Sequence, residues 1–331
     1  MFMITPRRAL LAGCITLITG TASAAGTPQT YTYTTISVKG STRTQAAGLN
    51  DKGTVVGYAF DGNQNAHGWR YYKGTLAKFD VPNVQNTFPI AINVHDVVVG
   101  YTSNFGTYAG FIYDGKGFTT VTMPGAIATT LVGINRRGEM LGASVSPKGV
   151  LTAFTYQNGV FTPLTSMNTP SPVAISATGA VAATYEQAHT YEVAFLFAKG
   201  QATTIPLKNS VFAQSYAINA SNVVVGQYAN AQLQQYGFVY DHGKARLLGY
   251  PGSNDSYLAG INDANMIIGN NFPTGPGSST CFVYQRGTFW LAQPPGVTDG
   301  GCAAINNKGE IIGYIAEPHG ALDSYLAVPN P

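Results

Sequence analysis

Along most of its length the chain alternates apolar and polar residues with a period of two. Stretches such as Tyr33-Thr34-Thr35-Ile36-Ser37-Val38, Phe118-Thr119-Thr120-Val121-Thr122-Met123 and Ala202-Thr203-Thr204-Ile205 are typical. The apolar members are largely β-branched or aromatic, and Gly, Asn or Asp interrupts the pattern every eight to twelve residues or so. Successive side chains of a strand point to opposite faces, so this is the pattern of short half-buried strands joined by tight turns. The chain reads as β throughout.

The strands recur in a fixed order. One octet appears as NDKGTVVG (50–57), NVHDVVVG (93–100), NRRGEMLG (135–142), SATGAVAA (176–183), NASNVVVG (219–226), NDANMIIG (262–269) and NNKGEIIG (306–313), so successive starts lie 41 to 44 residues apart. A repeat of that length belongs to a solenoid or a propeller. Before each octet comes an alternating stretch ending in an apolar residue, as in Tyr216-Ala217-Ile218. After it come a variable stretch, a strand such as Ala194-Phe195-Leu196-Phe197, a Gly turn and a fourth strand. Four strands per unit is the size of one propeller blade.

Turn chemistry accounts for the octet. Asn opens it in six copies, and its fourth position is Gly53, Asp96, Gly138, Gly179, Asn222, Asn265 or Gly309. These three residue types best tolerate positive φ, which a hairpin ending in a left-handed residue requires. The Asn and Gly therefore read as structural, not catalytic.

The last unit ends at Tyr325-Leu326-Ala327-Val328 with three strands. Tyr33 lies 17 residues before Asn50, the spacing that separates Phe118 from Asn135, so the strand at 33–38 reads as a displaced fourth strand. A ring that borrows its last strand from the N-terminus has no free sheet edge, whereas an open solenoid would want polar caps. The expected fold is all-β: a seven-bladed β-propeller with four-stranded blades of about 43 residues, closed by the N-terminal strand, forming a single domain over 25–331. Units of the form Ile-Asn-x-x-Gly-x-Val-Val-Gly, then a small residue and an aromatic (Ala153-Phe154, Ala194-Phe195, Gly237-Phe238), then Tyr-x-x-Gly, resemble the bacterial extracellular HAF repeat family. That resemblance implies secretion and a propeller-like β-fold, without an activity. Only His67 occupies the place of the family's His; Ala109, Thr152, Val193, Tyr236, Thr280 and Asp323 fill it elsewhere.

Residues 1–24 read as a signal peptide: Arg7-Arg8, the apolar run Ala9 to Ile18, and the small-x-small site Ala22-Ser23-Ala24. Arg7-Arg8 before Ala-Leu-Leu also resembles a weak twin-arginine signal, so the route stays open. Leu11-Ala12-Gly13-Cys14 matches a lipoprotein box by letter, but five residues after Arg8 are too few for an apolar region. A secreted or periplasmic protein without a membrane span is expected. Cleavage leaves 16 basic against 15 acidic residues, a balance with no general pull on nucleic acid. Only 10% of residues are charged, in keeping with a turn-rich extracellular protein. Cys281 and Cys302 remain, an even count that predicts a disulfide in an oxidising compartment.

Strand order sorts the chain into a face of tight turns and a face of longer loops, and loops on a rigid sheet are where binding residues usually sit. His67, His189 and His319 fall on the loop face with Asp61, Asp80, Glu186, Glu192, Asp255, Asp299, Glu317 and Asp323. Tyr101, Tyr108, Tyr185, Tyr191, Tyr228, Tyr236 and Tyr314 join them, while its cations are Lys39, Arg43, Lys148 and Lys208. Rings beside carboxylates suit a neutral or weakly basic polyhydroxylated ligand, although each Tyr is also a candidate for packing between blades.

The candidate ligand-binding residues are accordingly His67, Asp61, Tyr101, Tyr108, Tyr185, His189, Tyr228, Tyr236, Tyr314 and His319. The fourth unit departs most from the pattern, and its loop TYEQAHTYEVAF places Glu186, His189 and Glu192 at spacings of three beside Tyr191. His189 as base and Tyr191 as proton donor would suit a lyase; Glu186 with Glu192 would suit a glycoside hydrolase. No metal-ligand spacing, phosphate loop or nucleophile elbow is present, and no cofactor is expected. The leading reading is a monomeric secreted recognition module for a glycan. A polysaccharide-degrading enzyme on the same face and a cell-surface or matrix protein-binding scaffold are the alternatives.

Overall fold

The computed structural model describes residues 28–164, 170–187, 191–253, 255–273, 278–316 and 322–331, with the backbone alone at 170, 186, 187 and 191. Residues 1–24, expected from sequence to be a signal peptide, lie outside the described residues. After β1 (Tyr31–Ile36) the strands come in consecutive antiparallel sets. The first set is β2 (Arg43–Leu49), β3 (Val55–Phe60), β4 (Ala66–Tyr72) and β5 (Thr75–Phe79). The second is β6 (Asn86–Ile92), β7 (Val98–Asn104), β8 (Thr107–Tyr113) and β9 (Phe118–Val121). The third is β10 (Ala128–Ile134), β11 (Met140–Val145), β12 (Leu151–Gln157) and β13 (Val160–Pro163). Then come β14 (Pro170–Ile175), β15 (Val181–Gln187), β16 (Tyr191–Ala198) and β17 (Gln201–Thr204). The next set holds β18 (Ser210–Ile218), β19 (Val224–Asn230), β20 (Gln235–Asp241) and β21 (Lys244–Leu248). It is followed by β22 (Ser256–Ile261), β23 (Ile267–Asn271), β24 (Thr280–Gln285) and β25 (Thr288–Leu291). The last set has β26 (Gly300–Ile305), β27 (Ile311–Ala316) and β28 (Leu322–Pro329).

That last set takes its fourth strand from β1, which pairs with β28 from Tyr31↔Pro329 to Ile36↔Ser324. Ile36 and Val38 are buried with Trp69, Ile312 and Leu326, so the N-terminal segment fills core shared by the first and last sheets. A parallel bridge, Arg43↔Leu322, joins those same two sheets.

The octet forms the turn its residues demand. In the first copy Gly53 N donates to Asn50 O and Asn50 N to Thr54 O, and the fourth residue has φ of 80° at Gly53, 61° at Asp96 and Asn222, and 57° at Asn265. Asn50 Oδ1 accepts from Lys52 N and Thr54 N, both at 3.0 Å. The following apolar pair is buried on both sides: Val55, Val56, Val224, Val225, Ile311 and Ile312 are all fully covered, because each sheet packs between two others. The octet's final Gly faces a large aromatic on the next strand, as in Gly57↔Trp69, Gly226↔Phe238 and Gly313↔Tyr325. Trp69, Phe111, Phe154, Phe195, Phe238, Phe282 and Tyr325 are the largest fully buried side chains after this pattern, one per set.

The recurring Asn does more than build its own turn. Asn50 Nδ2 donates to Asn93 O, Asn93 to Asn135 O, and Asn135 to Ser176 O; after the fourth set Asn219 donates to Asn262 O, Asn262 to Asn306 O, and Asn306 to Asn50 O, at 2.8 to 3.4 Å. Ser176 is too short for this and gives its hydroxyl proton instead to Asn222 Oδ1 at 2.9 Å. These side chains are buried, so each amide finds its partner inside the protein and adds a second hydrogen to a carbonyl that already accepts from the fourth residue of its own turn.

The predicted disulfide is present between Cys281 and Cys302, with Cα atoms 5.1 Å apart. It links β24 to β26, hence two neighbouring sheets, inside their shared core. Among the described residues no helix is long and apolar enough to cross a membrane.

Candidate functional site

The first strands of the sets surround an axial channel, and a β-bulge in each decides what lines it. Pairing with the second strand skips Ala47, Ile90, Val132, Val173, Tyr216, Ala259 and Ala303. A bulged residue is turned out of the sheet. All of these line one cavity of about 320 Å³ within the channel, and Tyr216 is the one side chain among them with a polar group. A second cavity of about 250 Å³ lies on the turn side of Leu49, Ile92, Ile134, Ile175, Ile261 and Ile305, which border both, and Ile218 lines it too. At that turn-side end Arg136 reaches Asp263 three sets away, Nη2 to Oδ2 at 3.2 Å.

On the loop side Tyr216 stands in a polar and aromatic sector. Its hydroxyl lies 2.8 Å from both Gln214 Oε1 and Gln227 Oε1, while Gln227 Nε2 donates to Gln235 Oε1. The Tyr216 ring is 5.5 Å from Tyr257, which stacks at 5.9 Å on Phe272. Burial pushes the Tyr216 hydroxyl up to about 12, so it stays protonated at neutral pH. Burial also raises Tyr257 and the Asp255 carboxyl beside it. Farther round, Tyr314 and Ser279 share a hydrogen bond of 2.9 Å, and Asn270 accepts from Cys302 N and donates to Cys302 O.

The opposite sector is almost wholly aromatic. Phe88 meets Tyr58 at 5.1 Å and stacks on Tyr101 at 4.9 Å, and Tyr101 lies 6.3 Å from Tyr108. Burial raises the Tyr58 and Tyr101 hydroxyls above the ordinary tyrosine range, with Arg43 pulling Tyr58 back in part.

Among the described residues, those expected from sequence are spread over several places. His67 lies between two carboxylates, Nδ1 2.9 Å from Asp80 and Nε2 3.4 Å from Asp61, and lines neither axial cavity. Its hydrogen bond to Asp80 holds its pKa above the usual histidine value. Asp61 spends its other bonds on the amides of Asn63 and Asn65, closing its own loop. Tyr228 is a correction: it is 5% exposed, packs in the core and donates to Lys208 O, which leaves no surface for a ligand. Tyr236, its cross-strand partner, packs against the same core, and Tyr185 packs on Phe195 at 5.8 Å. Tyr101, Tyr108 and Tyr314 remain near the loop-side rim. His189 and His319 lie outside the described residues, as do the side chains of Glu186 and Tyr191. The backbone sets Glu186 directly opposite Glu192, whose buried Oε2 has no hydrogen-bond partner.

Tyr216, Gln214, Gln227, Gln235 and Tyr257 were not singled out by the sequence reading. Gln214, Tyr216 and Tyr257 sit on innermost strands, Gln227 on the strand next to one and Gln235 at the start of the third, whereas loops lead the eye to the outer rim. The one available signal was the large polar ring of Tyr216 at a position held elsewhere by Ala, Val or Ile.

No family model matches the chain, and no curated protein matches it. Its fold has clear counterparts among solved structures. A catalytically inactive virginiamycin B lyase from Staphylococcus aureus aligns over 90% of this chain and 99% of its own, with a TM-score of 0.54 at 12% identity. An acylaminoacyl peptidase from Pyrococcus horikoshii aligns over 86% of this chain at 9% identity, and a puromycin-hydrolysing peptidase from Mycobacterium tuberculosis over 90% at 11%, both with TM-scores of 0.59. The chain spans about half the length of those two peptidases, 51% and 54%. At such identities the likeness is one of fold alone. The four-stranded antiparallel sheets are those of a β-propeller.

Proposed function

We propose that the protein is an exported recognition module: a closed ring of seven blades, each of about 43 residues, that binds a glycan at the loop-side end of its channel. The ring is supported by the Asn relay, which returns from Asn306 to Asn50, and by a turn-side cavity to which every repeat contributes. Export is supported by the signal-like residues 1–24 and by the Cys281–Cys302 bond. The ligand reading is carried by one observation: Tyr216, Tyr257 and Phe272 set flat rings beside the amides of Gln214, Gln227 and Gln235 at the channel mouth. Rings give the apolar face of a sugar its contact and amides meet its hydroxyls, with few charges involved.

A glycan array probed with the mature protein tests this. Binding to a defined saccharide, weakened about tenfold or more by Tyr257→Ala with the melting temperature retained, is the expected result. Absence of any array ligand sinks the proposal. Release of unsaturated sugars or new reducing ends from a polysaccharide panel, lost in His189→Ala, would move the reading to a lyase or hydrolase. A protein-binding scaffold has its own support in the exposed apolar side chains Phe105 (89%), Ile127 (59%) and Val150 (54%) on the loop face. For that reading, Phe105→Ser would abolish capture of a protein partner and leave glycan binding intact.

A further inference from the structure

Two carboxylate oxygens of the loop-side sector are buried without a donor. The single hydrogen of Tyr216 faces two amide oxygens, Gln214 Oε1 and Gln227 Oε1. On one flank, Asp255 is bridged through its backbone to Gln235 and its Oδ1 is buried with no partner; on the other, Glu192 Oε2 is buried with none. Among the described residues neither carboxylate takes part in an ion pair, although Asp61, Asp80, Asp96, Asp241, Asp263 and Glu139 all do. An ionised oxygen withdrawn from water without a donor is costly, and a fold keeps such a group where something else completes it. Between the two acids stand the Tyr216 and Tyr257 rings, whose π faces favour a cation over an anion.

Resting on the glycan reading above, we propose that the saccharide bound at this mouth carries a free protonated amine, seated against Asp255 and the Tyr216–Tyr257 rings. The ammonium brings three donors to oxygens that lack them, and its charge matches Asp255 and Glu192. An N-acetylated sugar loses the charge and two of the hydrogens. A uronic acid adds a third negative charge to the two already there.

The test is titration calorimetry of the mature protein with three probes: a β-1,4-linked glucosamine hexamer, the N-acetylglucosamine hexamer and cellohexaose. The glucosamine hexamer is expected to bind about tenfold or more tighter than the other two. Asp255→Asn should erase that advantage while the melting temperature stays level or rises, because the variant removes a buried unpaired charge; a merely structural Asp255 would lower it. Equal binding of a neutral hexamer, or an advantage that survives Asp255→Asn, overturns the amine assignment and leaves glycan recognition standing. Spermine binding as tightly as the glucosamine hexamer also overturns it, since simple charge attraction then suffices. Silence from all three probes and from the wider array overturns both.

Discussion

One methyl group distinguishes Ala183 from the glycines that close the octet in the other repeats. At Gly226 an added Cβ would overlap the Gln214 carbonyl oxygen and lie 2.8 Å from the Phe238 ring. Neither neighbour can retreat, because one is backbone in a sheet and the other a fully buried aromatic. Gly226→Ala should therefore destabilise by about 1–3 kcal/mol, the usual range for overpacking, whereas Ala183→Gly should have a much smaller effect. Thermal denaturation of the two variants checks the contrast. His67 offers a residue-scale prediction in pH. Its pKa is raised, first by the bond to Asp80, so whatever stability it lends is fully present below the unfolded value of about 6.5 and is lost as pH rises through the folded value. NMR titration of His67 should give a midpoint above 6.5, and Asp80→Asn should return it towards that value. The turn residues were legible because positive φ admits few residue types, and every fourth octet position named from sequence has it. Tyr228 was misplaced because a Tyr at a loop border and a Tyr inside the core look alike until its hydroxyl finds Lys208 O.

At the level of strands, the displaced N-terminal segment was readable from spacing alone, and it pairs where the spacing put it. Removing residues 28–36 would leave β28 with a ladder to β27 on one side alone and uncover Leu326 and Tyr325. Loss of Ile36 alone forfeits about 1.5–3 kcal/mol of apolar burial, and six ladder pairs go with it. The truncated chain should melt well below the full one, and a synthetic peptide of residues 28–38 added in trans should restore part of the difference. An unchanged melting temperature would show β1 to be dispensable. The bulges were not readable. In runs such as Ala46-Ala47-Gly48 and Pro89-Ile90-Ala91 the skipped residue and its neighbours are all apolar or Gly, because some face the core and others the channel, so alternation carries no mark of the extra residue. With the bulge hidden, the direction of Tyr216 was hidden too, and with it the centre of the candidate site.

For the whole molecule, the contacts that matter most join one sheet to the next. The Cys281–Cys302 bond is one of them, and on loop-closure entropy it is worth roughly 3 kcal/mol. Reduction, or the Cys302→Ser variant, should lower the melting temperature measurably, and mass spectrometry of the oxidised protein should find no free thiol at either position. Composition and repeat length carried the architecture because every repeat states the same turns and pairs. They carried little of the function, since a ligand site is made where repeats differ from one another, and a single sequence does not say which differences are drift. The Asn relay also has a direction: each amide passes its hydrogen the same way round, and Ser176 breaks the succession, so that among the described residues Asn219 O lacks the side-chain donor its counterparts receive and the hydroxyls of Ser176 and Thr178 turn to Asn222 Oδ1 instead. Heat or load should thus part the circle first along the seam between the fourth and fifth sheets, beneath the very rings that Glu192 overlooks.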